Sequence, residues 1–479
     1  MLSLRKPTAS GSTAPRLKRR AWWLVAFALL VALGLGLSAL LTFRGGPAQA
    51  ITDGAAGYAP MRWQMQSGPE TASQAGPAPT AGLRPEAALK LILADLQQGQ
   101  RSHALARSEQ LVRDYPHFQL GHLLHAELLN AELPEALQAR AESGKAKPAT
   151  AAPRGPGAVG HAGAGTDPLE ALASEARRRL RHTPAEQLQG RLPKGLLHIG
   201  PAHRYVAAVD AAASRLYWFV NDATDPAGQP RLRLLMSTYV SVGANGVGKF
   251  REGDARTPLG VYFVQRNLPG ERLPDLYGVG ALTLNYPNAI DLMRNKTGSG
   301  IWLHGTPSLH YSRAPLATDG CVVLANPDMQ ALLDLPDTTA TPVLIAQQLD
   351  WVDADAPHTP AEFANTLQAW LRERHRGSPQ ALAGFYSPRF ERDALGLDHW
   401  WPRLARQYSE ADRVPPLQLQ AALAWHDEED LIVATLAPTM PARTDARGKG
   451  KHASVRSGLV RTYWRLEAGR WKIVYEGPA

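Results

Sequence analysis

A single cysteine, Cys321, serves all 479 residues. An internal disulfide framework is therefore excluded, and an exported chain of this kind must rely on ordinary apolar cores. Metal signatures are missing too. His122 and His125 in "HLLH" are the one close histidine pair, with no third ligand and no His-Glu-x-x-His arrangement around them. No metal site and no cofactor are expected. Acidic residues are absent ahead of Asp53, whereas Arg5, Lys6, Arg16, Lys18, Arg19 and Arg20 crowd the first twenty positions. That tail holds six of the nine net positive charges, so the remainder is nearly balanced and no nucleic-acid partner is indicated.

An apolar run from Ala21 to Phe43 follows the basic tail. At about 1.5 Å per residue it is long enough to cross a hydrocarbon core of roughly 30 Å. By the positive-inside rule, residues 1–20 are expected as a cytoplasmic tail and 21–43 as a single-pass inner-membrane anchor, with the rest exported to the periplasm. A cleaved signal peptide is the rival reading, because "AQA" at Ala48 to Ala50 resembles a processing site; secretory apolar segments, however, run only about 7 to 15 residues.

Composition divides what remains. Residues 51–84 are rich in Gly, Ala, Pro, Ser and Gln and read as a flexible tether. Over 85–140 the apolar spacing turns helical, with Ala88, Leu91, Ile92 and Leu96 on one face and Leu120, Leu123, Leu124 and Leu128 on another. "LVRDYPHFQLGHLLHAELL" resembles a tetratricopeptide helical hairpin. A second Gly/Ala/Pro-rich linker covers 141–167, and a helix is expected from Pro168 to Arg181. From 203 to 348, short β-rich runs such as "RLYWFV", "LGVYFVQ" and "TPVLIAQ" alternate with Gly, Pro and Asp, the pattern of a mainly-β domain. A last domain, 359–479, begins with an amphipathic helix through Phe363, Leu367, Trp370 and Leu371 and ends in alternating strands.

Two motifs invite a chemical reading. "GANGVGKF", Gly243 to Phe250, imitates a phosphate-binding loop, but Phe250 stands where Ser or Thr should reach Mg²⁺ and turns rather than a helix follow. No nucleotide is expected. The other is Cys321 itself. A lone cysteine is commonly a small buried apolar side chain, yet Gly320 before it permits a tight turn and close approach of a carbonyl. A thiol needs a base or a cation beside it to act near neutrality. His304 in "GIWLHGTPS", followed by Gly305, is the candidate, with His310 in reserve.

The stretch "HGTPSLHYSRAPLATDGC", His304 to Cys321, resembles the H-x(13)-[ST]-x-G-C signature of the L,D-transpeptidase catalytic domain, a β-sandwich of bacterial cell-wall enzymes. "GKFREGDARTPLGVYFV", "GIWLHG" and "TPVLI" match further blocks in order. The resemblance implies that Cys321 attacks the carbonyl of the diaminopimelate-type third residue of a peptidoglycan stem peptide, expelling D-alanine. It implies that His304 serves as base and then acid, and that backbone N–H groups at Gly320 and Cys321 hold the oxyanion, with Thr318 shaping the loop. This sequence departs from the family pattern at Asp319, where a histidine is usual, and at Val323, where Arg or Asn is usual. Asp319 would orient an imidazole, accept from a substrate ammonium, or simply cap the turn. Arg313 is the expected reader of a stem-peptide carboxylate. Transfer to an amine and hydrolysis by water share this machinery, so both stay open. A wall-binding scaffold with a decayed site is the reading from another class.

Residues 359–479 resemble the nuclear-transport-factor-like α+β cone. Trp400, Trp401, Trp464 and Trp471 would then line a glycan site, a homodimer face or a protein-partner face, or else form core. The expected fold class is thus multidomain: an N-terminal transmembrane helix, a small α-helical hairpin region, a mainly-β catalytic domain and a C-terminal α+β domain.

Overall fold

The computed structural model describes residues 84–132, 168–181, 183, 185–224, 230–356, 359–376, 378–409, 416–439 and 458–479. Helix α1 (Pro85–Gln97) starts on a proline, whose missing N–H costs nothing in a first turn. It is followed by α2 (Arg101–Asp114) and α3 (Gln119–Glu132). Where a hairpin was expected over 85–140, three helices stand, and α4 (Pro168–Leu180) from beyond the linker packs with them. Their core joins Ala88, Leu89, Ile92, Leu111, Phe118 and Ala176. Leu91, expected on the apolar face, is exposed, and Leu89 takes its place.

Short β1 (Arg191–Pro193) and β2 (Leu196–Ile199) lead into β3 (Tyr205–Asp210), β4 (Arg215–Thr224) and β5 (Pro230–Gly243). Then come β6 (Gly260–Pro269), β7 (Gly280–Leu284), helix α5 (Ala289–Met293), β8 (Trp302–His304), β9 (Leu316–Thr318), β10 (Val322–Leu324), helix α6 (Asn326–Leu333) and β11 (Pro342–Ala346). The sheet order is β10-β8-β7-β6-β11-β3-β4-β5-β9, and β10 also pairs with β5. The pairing of Val323 with Ser241 and of Leu324 with Val240 closes the sheet on itself. The domain is therefore a closed barrel rather than the sandwich implied by the family resemblance, and closure leaves no open edge between β10 and β5.

All six residues of β3 are buried because both faces of the barrel wall are covered. Successive side chains point to opposite faces. Ala207 and Val209 enter the barrel interior with Trp218, Val264 and Leu303, while Val206 and Ala208 face outward with Phe219, Val261, Phe263 and Leu344. That outer face is covered by the last part of the chain. After β12 (Trp351–Asp353), which pairs with β1, come helices α7 (Ala361–Arg376) and α8 (Pro379–Ala383) and the hairpin β13 (Glu391–Arg392) and β14 (Leu395–Gly396). Helix α9 (Leu397–Ser409) and strands β15 (Leu417–Asp427), β16 (Glu429–Pro438), β17 (Val460–Glu467) and β18 (Arg470–Pro478) complete it. The antiparallel sheet β18-β17-β16-β15 takes β2 as a fifth strand. One face of this sheet, with Leu423, Trp425, Leu431 and Val433, packs on the barrel. The other packs on α7 and α9 through Trp370, Tyr408, Trp464 and Trp471.

Two expectations change here. No helix among the described residues is long and apolar enough to cross a membrane, so the transmembrane element is withdrawn from the fold class; the run 21–43 on which it was placed lies outside the described residues, as do the tail, the tether except Arg84 and the whole 141–167 linker. Trp464 and Trp471 are core rather than ligand-facing: Trp464 is fully buried and its indole N–H donates to the Thr462 hydroxyl at 2.9 Å. Trp400 and Trp401 pack partly buried against the same core.

Candidate active site

His304 ends β8 and Cys321 immediately precedes β10. These strands run parallel, with Val322 opposite Leu303 and Val323 opposite His304. Because side chains alternate, Cys321 and His304 share one face, diagonally offset by two residues. The register therefore brings together two residues that the sequence separates by a long loop.

His304 is 4 % exposed, and its Nδ1 lies 2.7 Å from the Gly305 carbonyl oxygen. A carbonyl can only accept, so Nδ1 carries the proton and Nε2 is left with its lone pair, the state a base requires. Burial pushes the imidazole down to about 4, with a further contribution from the Arg313 charge, against the opposing Gly305 bond. Cys321 is half-buried. Burial pushes its thiol up to about 11, with Asp319 adding to the rise, while a backbone hydrogen bond at Trp302 and the charges of Arg313 and Lys249 oppose it. At neutral pH the resting pair is thus thiol and imidazole, not an ion pair. The Sγ–H donates to the Gly300 carbonyl at 3.4 Å rather than to His304.

The loop before the cysteine is tied by one hydroxyl. Thr318 Oγ1 donates to the Cys321 carbonyl at 2.7 Å and accepts from the Gly320 N–H at 3.1 Å. The Gly320 N–H, expected to hold an oxyanion, is therefore already engaged. Gly320 has φ +126°, and a Cβ there would lie 2.6 Å from the Arg256 carbonyl oxygen, so only glycine fits. Its own carbonyl accepts from Thr257 Oγ1 at 2.9 Å, and the same oxygen of Thr257 accepts from Gly243 N–H. Gly305 is equally confined, since a Cβ there would collide with Asn326 Oδ1.

The remaining expected residues fall into place unevenly. Arg313 is half-buried, its Nη1 3.4 Å from the Ala317 carbonyl, and its charge acts on Asp319, Cys321 and His304 alike. Asp319 is exposed, and no bond to an imidazole is formed. His310, the reserve base, is exposed and lines a cavity of about 260 Å³ with Tyr115 and His117 of the helical bundle. Lys249 of the glycine-rich loop is buried and committed to Asp254 at 2.9 Å, so it offers no free ammonium to a phosphate. Among the described residues no group of three or more His, Cys, Asp or Glu side chains converges as a metal site needs.

Two neighbours escaped the sequence reading. The Tyr277 ring stands edge-on to His304, centroids 5.0 Å apart, and 4.8 Å from Trp302. The Tyr277 carbonyl also accepts from the Gly305 N–H at 3.1 Å. A tyrosine in the Pro/Gly-rich "LPDLYGVG" carries no periodic signal that would single it out.

The positions of His304, Thr318, Gly320 and Cys321 in one chain segment can now be set beside known proteins. Residues 204–345 match the L,D-transpeptidase catalytic domain (YkuD). No curated protein matches the chain. Among solved structures, Bd1075 from Bdellovibrio bacteriovorus is 25% identical over 60% of this chain and 98% of its own, with a TM-score of 0.47. The helical cell shape determining protein Pgp2 from Campylobacter jejuni is 17% identical over 61% and 97%, with a TM-score of 0.45. An L,D-transpeptidase from Mycobacterium smegmatis is 15% identical over 30% and 58%, with a TM-score of 0.19. The match to the L,D-transpeptidase catalytic domain runs from just before β3 to Ile345 of β11 and contains all of the expected cysteine-site residues.

Proposed function

We propose that this protein modifies peptidoglycan stem peptides as a cysteine L,D-transpeptidase, with Cys321 as nucleophile and His304 as general base. The observation that carries the reading is the β8/β10 register, which sets thiol and imidazole on one face with Nε2 free to accept. In the acylation step the thiol proton passes to His304 Nε2 as sulfur bonds to the donor carbonyl. The imidazolium then protonates the departing amine of D-alanine as the C–N bond breaks, leaving a thioester. An acceptor amine or a water reverses the sequence, releasing a cross-link or a trimmed peptide. The Cys321 thiol must first rotate away from Gly300, and catalytic hydrogen bonds commonly form only once substrate is bound. With the Gly320 N–H engaged by Thr318, the Cys321 N–H is the oxyanion donor left in this turn. Arg313 would meet a stem-peptide carboxylate. The site of action would be the periplasm, facing the wall.

The competing scaffold reading has one observation on its side, the thiol held by Gly300 with its pKa raised by burial. The experiment incubates the full chain with purified peptidoglycan and with tetrapeptide muropeptides, beside Cys321→Ala, and resolves products by mass spectrometry. Peptide-linked dimers that need Cys321 mean transfer, and water-addition products that need Cys321 mean hydrolysis. Absence of any Cys321-dependent product would sink the enzyme.

A further inference from the structure

Between the barrel and the C-terminal sheet lies a cavity of about 270 Å³, walled by Asn285, Met293, Arg392, Arg461, Tyr463 and Tyr475 among others. It is separate from the cysteine site. Ala281 of β7 pairs with His304, and Asn285 follows the end of that strand, roughly 13 Å further along at the usual rise of a strand.

Arg461 is the unusual member. Several arginines withdrawn from water face carboxylates: Arg179 meets Glu86 and Glu175, Arg294 meets Asp427 and Glu429, and Arg465 meets Glu429 and Glu467, while Arg374 lies over the Trp370 and Tyr408 rings, away from this cavity. Arg461 makes no ion pair and no side-chain hydrogen bond among the described residues, and its Nε is sealed from solvent without an acceptor. Its guanidinium carbon sits 3.6 Å from the centroid of the Phe263 ring. Stacking satisfies the flat face of the cation but leaves the in-plane N–H donors unused, and those donors are the fork that matches a carboxylate. Burial also lowers the guanidinium pKa, opposed only by Tyr463 and Tyr475, with no carboxylate among the groups that act on it. Arg461 is half-buried, and a guanidinium with its Nε sealed from water and no acceptor is costly to keep for packing alone.

We propose that this cavity binds a carboxylate, gripped by the in-plane donors of Arg461 above Phe263. Arg392 adds positive charge at the wall, although it already leans on Asp393 at 3.6 Å and on the Glu476 carbonyl at 3.2 Å. Glu391 and Asp393 also line the opening. Their charges oppose a dianion, so a singly charged carboxylate is favoured over phosphate. The group can come from a free small acid or from the C-terminus of a wall peptide, and the chemistry of recognition is the same.

The test is isothermal titration of the full chain carrying Cys321→Ala, so that binding is read without turnover and an inactive cysteine site leaves the result unaffected. The probes are acetate, D-alanine, inorganic phosphate and a tetrapeptide muropeptide, each at matched ionic strength. Saturable binding of acetate or D-alanine assigns the site to free acids, and binding of the muropeptide alone assigns it to a peptide terminus. In either case Arg461→Met must weaken binding at least tenfold without lowering Tm, because an apolar side chain of similar length replaces an unpaired charge. Arg461→Lys keeps the charge but loses the fork and must also bind more weakly. Should Arg461→Met fail to fold, the lysine variant decides alone. Binding unchanged by the substitution, phosphate bound more tightly than acetate, or no saturable heat from any probe overturns the proposal.

Discussion

Ser312, in the loop between His304 and Cys321, donates its hydroxyl to the Glu175 carboxylate of helix α4 at 2.7 Å. Glu175 also accepts from Arg179, which is buried against the Tyr239 ring at 3.9 Å. One residue earlier, Tyr311 stands edge-on to Tyr115 and Phe118, each at 5.2 Å, and its N–H donates to the His117 carbonyl. The helical bundle therefore holds the loop that carries Arg313. Removing Glu175 would take one carboxylate partner from the buried Arg179 guanidinium, so Glu175→Ala is expected to cost about 3 to 5 kcal/mol in denaturant unfolding. Ser312→Ala loses one hydrogen bond to a charged group, about 2 kcal/mol or less, and is expected to raise KM for a tetrapeptide more than it lowers kcat. An unchanged KM would detach the bundle from substrate binding.

Thr318 and Gly320 set the cysteine turn in different ways. Thr318→Val removes the hydroxyl that both donates to the Cys321 carbonyl and accepts from the Gly320 N–H. Displacing a nucleophile by about an ångström costs on the order of 10²-fold, which is the loss expected in kcat, and Thr318→Ser should restore most of it. Gly320→Ala would drive a Cβ against the Arg256 carbonyl at a φ that L-residues avoid, and is expected to lower stability by about 1 to 3 kcal/mol as well as activity. Steady-state kinetics beside thermal melts separate the two cases. Equal behaviour of Val and Ser at position 318 would remove the hydroxyl from the argument.

The pair's ionisation predicts an unusual pH response. As the proposed base His304 would work only when neutral, and burial holds it neutral down to about 4, so kcat/KM should keep its acid limb near pH 4 rather than near the ordinary imidazole value. The thiol loses its proton only near 11, so alkylation by iodoacetamide, which needs thiolate, should be slow at pH 7 and climb tenfold per pH unit toward that value. Fast alkylation at neutral pH would mean that the resting pair is a thiolate and an imidazolium.

Cys321 and His304 could be singled out as candidates because each stands beside a glycine at one edge of an apolar run, and those short-range signals need no structure. The strand closure was not, since the pairing of β10 with β5 links Val323 to Ser241, and nothing local announces a contact across so long a separation. The engagement of the Gly320 N–H by Thr318 is likewise a matter of φ and side-chain rotation rather than of residue type. In the helical region the period and most of the face were right, with Ala88 and Ile92 buried as expected; at the edge of the stripe Leu89 rather than Leu91 is buried, in the cluster that Ala176 of α4 joins from beyond the linker. Helical spacing marks an amphipathic helix; which flank of the stripe is covered depends on the partner.

The C-terminal part is an expected accessory domain by sequence, but the structure ties it to the barrel. Strand β2 precedes the barrel in the chain yet pairs with β15, and Val206, Phe219, Val261, Phe263 and Leu344 on the outer barrel face are covered by the C-terminal sheet. Arg294 and Lys296 beside α5 reach across to Asp427 at 2.7 and 2.9 Å. Exposing a buried side chain of this size costs about 2 kcal/mol, so uncovering these five would cost roughly 10 kcal/mol, as much as a typical domain's whole stability. A chain ending at residue 356 is therefore expected to aggregate or to lose its near-ultraviolet circular dichroism, even though it retains every residue of the cysteine site. Asp427→Ala, which breaks the ionic bridge but leaves the apolar face covered, should stay folded with a smaller loss. If the truncated chain melts cooperatively at the temperature of the full chain, the sheet is a detachable appendage and its influence on the barrel is nil.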